Sequence, residues 1–292
     1  MKRVDKPIEL PPEVRPGQSI GLLQELHILT RDGKLNQDSR RKLKQVYHLY
    51  QFIEPLLKDV LAEHPGVTLV DHGAGKSYLG FILYDLFFKN LQDGSHIYGI
   101  ETREELVQKS RELAARLGFD GMSFLNLSVS ESTRSEQLPP TVDIVTALHA
   151  CNTATDDAID FALKKQAKYM VLVPCCQAEV ATVLRKNKGK ELGKNALTEI
   201  WRHPIHTREF GSQVTNVLRC LQLEAHGYQV NVTELVGWEH SMKNELIIAT
   251  YKDLPRRRPA ERLAEVLTTL GLEEMSGRFY APYQQSISDS VG

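Results

Sequence analysis

The run Thr68-Leu-Val-Asp71-His-Gly73-Ala74-Gly75-Lys76-Ser77 places a carboxylate and two closely spaced glycines where an apolar strand gives way to a helix. Glycine lets backbone approach a ligand, and the following helix offers free N–H groups and a positive dipole end. The stretch therefore suits an adenosine-bearing cofactor. A second carboxylate, Glu101, closes the next apolar run, Tyr98-Gly-Ile-Glu101, and from there it can accept hydrogen bonds from both hydroxyls of an adenosyl ribose. Further on, His149, Cys151, Cys175 and Cys176 gather at the ends of two more apolar runs. With an ordinary pKa of about 6.5, His149 suits proton acceptance from a hydroxyl or amine. Thiolate and imidazole also suit zinc, although there is no C-x-x-C pair and adjacent cysteines on a strand point to opposite sides. The alternative is that small, soft thiols fill tight space beside a cofactor.

Three ligands compete for the glycine turn. A Walker A phosphate loop needs G-x-x-x-x-G-K-[ST]; Gly75-Lys76-Ser77 supplies its end, but Val70 stands where the first glycine belongs. A dinucleotide fingerprint needs glycine at 78, where Tyr78 stands. The remaining strand-Asp-x-Gly-x-Gly form resembles motif I of class I S-adenosylmethionine-dependent methyltransferases, whose turn passes under the methionine part of the cofactor. The structural alternatives are a turn with no ligand and, for Glu101, a helix N-cap.

Holding these residues together takes a sheet. Apolar strands near 67–71, 96–100, 122–126, 142–148 and 169–173 alternate with helices at 77–90, 103–117 and 155–166, the pattern of a parallel sheet covered on both faces. Helix 209–226 stops at His226-Gly227. Strands 228–235 and 244–251, joined by a loop containing Gly237, should form an antiparallel hairpin. Before the sheet lie a Pro-rich strap and two helical patterns, the second with Leu43, Val46, Tyr47, Tyr50, Ile53 and Leu57 at helical spacing. A basic, irregular insertion is expected at 185–206 and a last helix at 259–270. The segments are then 1–62, strap and helical appendage; 63–254, the α/β domain; and 255–292, helix and tail.

Composition narrows the setting. The 292 residues are 41% hydrophobic and 25% charged, as in a globular chain. No apolar run of membrane length occurs, and MKRVDKPIELPPEV lacks the apolar core of a signal peptide, so a cytoplasmic protein without membrane partners is expected. Four cysteines make no disulfide framework. Net charge is -1, yet basic residues cluster at Arg40-Arg41-Lys42 with Lys44, at Arg185-Lys186 with Lys188 and Lys190, and at Arg256-Arg257-Arg258. These clusters form either a nucleic-acid stripe or ordinary solvated faces.

His149-Ala-Cys151-x-x-x-Thr155-Asp156, followed by Pro174-Cys175-Cys176, resembles a methyltransferase-domain family that includes the eukaryotic methyltransferase-like 25 proteins and is similar to acceptor-stem tRNA 2′-O-methyltransferases. Arg41-x-x-Lys44-Gln-x-x-His48 and Lys243-Asn244-Glu-Leu-Ile extend the match over about 40–250. Asn152 departs from the family's usual glycine, and Gln177 stands where tyrosine or histidine is common.

The resemblance implies a Rossmann-like α/β fold with a seven-stranded, mostly parallel sheet and an antiparallel terminal hairpin. It implies S-adenosyl-L-methionine as cofactor, held by Asp71, Gly73, Ala74, Gly75, Lys76, Glu101, Ser128, Val129, Leu148 and His149, with Ser128 and Val129 at the adenine. His149, Cys175 and Cys176 would be catalytic, and Gln177, Lys44, Lys243 and Asn244 would meet the substrate. RNA, tRNA or rRNA, is the expected acceptor. A protein acceptor and a noncatalytic adenosyl-cofactor-binding scaffold are the alternatives.

Overall fold

The computed structural model describes residues 11–150, 153–174, 177–187, 196–235 and 245–282. Cys151, Cys175, Cys176, Lys243 and Asn244 lie outside the described residues. Seven strands, β1 (Thr68–His72), β2 (His96–Glu101), β3 (Met122–Asn126), β4 (Ile144–Ala150), β5 (Tyr169–Pro174), β6 (Tyr228–Glu234) and β7 (Glu245–Tyr251), form a sheet in the order β3-β2-β1-β4-β5-β7-β6. The expected mostly parallel sheet with an antiparallel terminal pair is present. The chain divides into two compact units, 1–139 with 235–240 and 140–234 with 241–292, which cut across the three segments read from sequence.

In the first unit β1 pairs with β2, and β2 with β3, all parallel. Each return runs through a helix, α3 (Tyr78–Leu86) or α4 (Glu104–Leu117), as parallel pairing requires. Helix α4 buries Val107, Ser110, Leu113 and Ala114 along one face and stops at Gly118, φ +65°. α1 (Ile20–Glu25) and α2 (Gln37–Glu63) precede the sheet, capped by the side chains of Ser19 and Asn36. The expected stripe of α2 is buried at Leu43, Val46, Tyr50, Ile53 and Leu57.

The preceding strap is tied down by charge. Ser19 N–H donates to Asp85 Oδ2 at 2.9 Å, and Lys89 Nζ reaches both Asp85 Oδ1 (2.8 Å) and the Gly17 carbonyl (2.6 Å). The Arg15 guanidinium lies over Tyr47 and Tyr50, 4.6 and 4.8 Å from the ring centres. α3 ends at Leu86, four residues short of expectation, and passes into a 3-10 turn at Phe88–Asn90. An unexpected helix, α5 (Val129–Arg134), follows β3.

In the second unit β4 and β5 are parallel, and β7 runs antiparallel to both β5 and β6. The helices are α6 (Ala154–Lys164), α7 (Glu179–Asn187), α8 (Pro204–Ala225) and α9 (Arg257–Thr269). The stretch expected to be irregular thus contains the end of α7, whose Val180, Val183 and Leu184 are buried, and the start of α8. Pro204 opens α8, where its missing N–H leaves no bond unmade. α9 shares a core with α7 and α8 through Leu263 and Leu267, each worth ~1.5–3 kcal/mol on burial. Among the described residues no helix is long and apolar enough to cross a membrane.

Candidate cofactor site

β1 carries Asp71 and His72, both buried, to its carboxyl end, in register with Gly99 and Ile100 of β2. The chain then folds tightly: Ala74 N–H donates to the Ile100 carbonyl (2.9 Å), and Ser77 N–H donates back to the Ala74 carbonyl (2.6 Å). Gly73 and Gly75 adopt φ of +70° and +57°, the left-handed region that glycine enters without strain. A Cβ on Gly73 would meet nothing within 4 Å, so the backbone of the turn has an open side. Gly99 is glycine for the opposite reason, since a Cβ there would lie 2.7 Å from the Phe124 ring.

Gly75 N–H donates to Glu101 Oε2 at 2.9 Å, joining the turn to the end of β2. Glu101 is only 8% exposed and also holds Arg103, whose Nη2 donates to Oε2 (3.1 Å) and whose backbone N–H and Nε donate to Oε1 (3.0 and 3.1 Å). Burial pushes the Glu101 pKa up, but the hydrogen bonds and charge of Arg103 and the Gly75 N–H together hold it below the ordinary value. The N-cap of α4 is Arg103, without a side-chain cap bond, so Glu101 is not the cap. His72, at the same strand end, is driven down to about pKa 4 by burial, against the opposing pull of Glu101.

The other expected cofactor residues sit nearby in sequence but are used differently. Lys76 is exposed. Ser128 caps α5 in a reciprocal capping box: its hydroxyl accepts the Glu131 N–H, and Glu131 Oε2 accepts the Ser128 N–H at 2.8 Å. Val129 opens that helix, with its side chain outside the described set. Asn126 Nδ2 donates to the carbonyls of Glu101 (3.1 Å) and Thr102 (2.8 Å), fastening the end of β3 to that of β2.

In the second unit Leu148, half-buried, pairs with Val173, whereas Ala150 pairs with Pro174. His149 is the extra residue at this bulge in the β4–β5 register; its side chain lies outside the described set. Gln177 is buried and donates from Nε2 to Asp156 Oδ2 at 3.2 Å. Asp156 is gripped from the other side by the fully buried Arg219 of α8, Nε to Oδ1 at 2.6 Å and Nη2 to Oδ2 at 3.0 Å. Arg219 also donates to Asn216 Oδ1, and Asn216 donates to Glu245 Oε2 at 2.6 Å. Beside them opens a cleft of about 1050 Å³ lined by Thr153, Asp157, Asp160, Glu179, Glu274 and Arg278. Lys44 is exposed on α2.

The first unit thus fits an adenosyl cofactor: a glycine turn with an open side, and a buried carboxylate one strand over. Residues 41–183 match the model of a family described as a methyltransferase domain. This stretch carries a methyltransferase domain. The chain is similar to two curated proteins, each called glutathione S-transferase C-terminal domain-containing protein. The identity is 25% over 236 residues for that of Bos taurus and 23% over 237 for that of Xenopus laevis. Each alignment takes in 75% of this chain, so the chain spans only 34% and 36% of those relatives' length. Among solved structures, magnesium protoporphyrin IX methyltransferase from Synechocystis PCC 6803, with S-adenosylhomocysteine bound, is similar at 15% identity and a TM-score of 0.42, covering 80% of this chain and 95% of that one.

Sequence reasoning missed two residues. Arg103 was signalled only by its place two positions after Glu101, and Arg219, 63 positions from its partner Asp156, had no local signal.

Proposed function

We propose that the chain transfers a methyl group from S-adenosyl-L-methionine to RNA, tRNA or rRNA. The observation that carries the cofactor half is the Gly75 N–H on Glu101 beside the open side of Gly73. Asp71, Gly73, Ala74, Gly75 and Glu101 would hold the adenosyl and methionine parts, Glu101 through the ribose hydroxyls. When bound, the cofactor supplies an electrophilic methyl on a sulfonium. His149, at the β4 bulge, would take the proton lost by an acceptor hydroxyl or amine. Placement of the acceptor should matter more than basicity, because methyl transfer needs an in-line approach.

The RNA half is supported by the resemblance to acceptor-stem tRNA 2′-O-methyltransferases and by exposed Lys42 and Lys44 on α2. Several residues of the basic clusters are in ion pairs, Arg40 with Glu13 (3.1 Å) and Arg256 with Asp253 (2.7 Å) among them. Exposed pairs of this kind contribute ~0–1 kcal/mol and yield readily to phosphate. By the same resemblance, Lys243 and Asn244 would meet the substrate and Cys175 and Cys176 would be catalytic. The composition in cysteine fits the cytoplasm.

One observation favours a second reading, a protein acceptor. Carboxylates outnumber cations in the cleft beside Asp156, which suits a cationic side chain better than a phosphate. Transfer of tritiated methyl groups to cell extract, with and without RNase, separates the two. Labelling that RNase abolishes supports RNA; labelling that survives RNase and yields to protease transfers the assignment to protein.

A further inference from the structure

The cofactor reading given above asks Glu101 to accept two ribose hydroxyls, and the inference below rests on that reading. The carboxylate already has five donors. Oε1 accepts the Arg103 backbone N–H (3.0 Å), Arg103 Nε–H (3.1 Å) and the Thr102 hydroxyl (3.2 Å). Oε2 accepts the Gly75 N–H (2.9 Å) and Arg103 Nη2–H (3.1 Å). A carboxylate offers about four lone-pair sites, so no place is left for a ribose while all five donors stay.

The donors differ in how readily they leave. Those of Gly75 and of the Arg103 backbone are built into the turn and the start of α4. The guanidinium ends a side chain that is 61% exposed, while its partner Glu101 is 9% exposed as a side chain. Arg103 can therefore swing into water, where a guanidinium is well solvated, without moving the backbone; with the Thr102 hydroxyl turned aside as well, only the Gly75 and Arg103 backbone donors remain and two places open for the ribose. We propose that Arg103 is a latch on the cofactor site: its guanidinium holds and orients Glu101, and the ribose of the cofactor must displace it to bind. The same competition speeds departure of the product S-adenosylhomocysteine, because the guanidinium returns to Glu101 as the ribose leaves. Arg103 then tunes affinity downward, at the one carboxylate on which ribose recognition depends.

Titration calorimetry of the full chain with S-adenosylhomocysteine tests this, using the wild type, Arg103→Ala, Arg103→Lys and Glu101→Ala. Arg103→Ala should bind about fivefold more tightly, equivalent to ~1 kcal/mol. Arg103→Lys, which keeps the charge but loses the fork, should fall between. Raising salt from about 0.05 to about 0.5 M should tighten binding by the wild type, since it screens the competing pair, and leave Arg103→Ala nearly unchanged. Binding by Arg103→Ala equal to or weaker than the wild type, with Glu101→Ala still impaired, overturns the latch and leaves the cofactor reading standing. Absence of binding by every form, or wild-type binding by Glu101→Ala, removes the cofactor reading and the latch with it.

Discussion

The Gly75 N–H lies 2.9 Å from Oε2 of Glu101, so the turn after β1 and the end of β2 hold each other in place. Neither partner works alone. The turn keeps this bond only while Gly75 stays at φ +57°, and that conformation is one other residues enter at a cost of roughly 1–2 kcal/mol.

Gly75→Ala and Glu101→Ala should therefore each weaken S-adenosylhomocysteine binding at least about tenfold, ~1.4 kcal/mol, by calorimetry. In Gly75→Ala the loss comes through a strained turn, and in Glu101→Ala through the missing ribose acceptor. An unchanged affinity in Glu101→Ala would remove that carboxylate from the site.

His72 gives stability a pH dependence. It is 4% exposed, and its pKa falls from 6.5 to about 4 on folding. The unfolded chain takes up this proton first, so the contribution is whole above about pH 6.5 and is lost as pH falls toward about 4, on the order of 3 kcal/mol in all. Urea unfolding of the wild type and His72→Gln at pH 7 and pH 5 reads it directly. The drop in stability between the two should be smaller in the variant; equal drops would mean that His72 titrates normally in the fold.

The Asp156–Arg219 pair should be strongly non-additive. Their side chains are 5% and 0% exposed, so removing either leaves a buried charge without its partner, at about 3–5 kcal/mol. Arg219→Met, Asp156→Ala and the double variant form a cycle readable by urea denaturation. The double variant is expected to lose at least about 1 kcal/mol less than the sum of the singles; simple additivity would argue against a coupled pair.

Gly211 marks a close approach of α7 and α8. A Cβ there would lie 2.7 Å from Ala181 N and 2.8 Å from Ala181 Cβ. Gly211→Ala should destabilise by about 1–3 kcal/mol in a thermal melt. Adding Ala181→Gly should restore little of this, because the nearer obstacle is main chain.

Much of the scaffold was legible as local pattern. Strands 67–71 and 122–126 match β1 and β3 to within a residue, and the stripe of α2 lies where its spacing puts it. α5 was also written locally, in Ser128-x-x-Glu131, but its six residues are too few for a helical period to show. The end of α7 was obscured because Arg185 and Lys186 are its exposed face, while Val180, Val183 and Leu184 are the buried one.

The sequence by itself determined the strand–turn–helix of 68–86, the positive-φ glycines and the alternation that makes a covered sheet, since each depends on residues within a turn or two of one another. Only the tertiary structure decided that β7 enters between β5 and β6, that Arg103 loads Glu101, and that Asp156 belongs to Arg219 and Gln177. Strand order is set by backbone groups that any sequence carries. The partner of a buried charge is set by which side chains the packed chain brings within about 3 Å, and no local spacing records either.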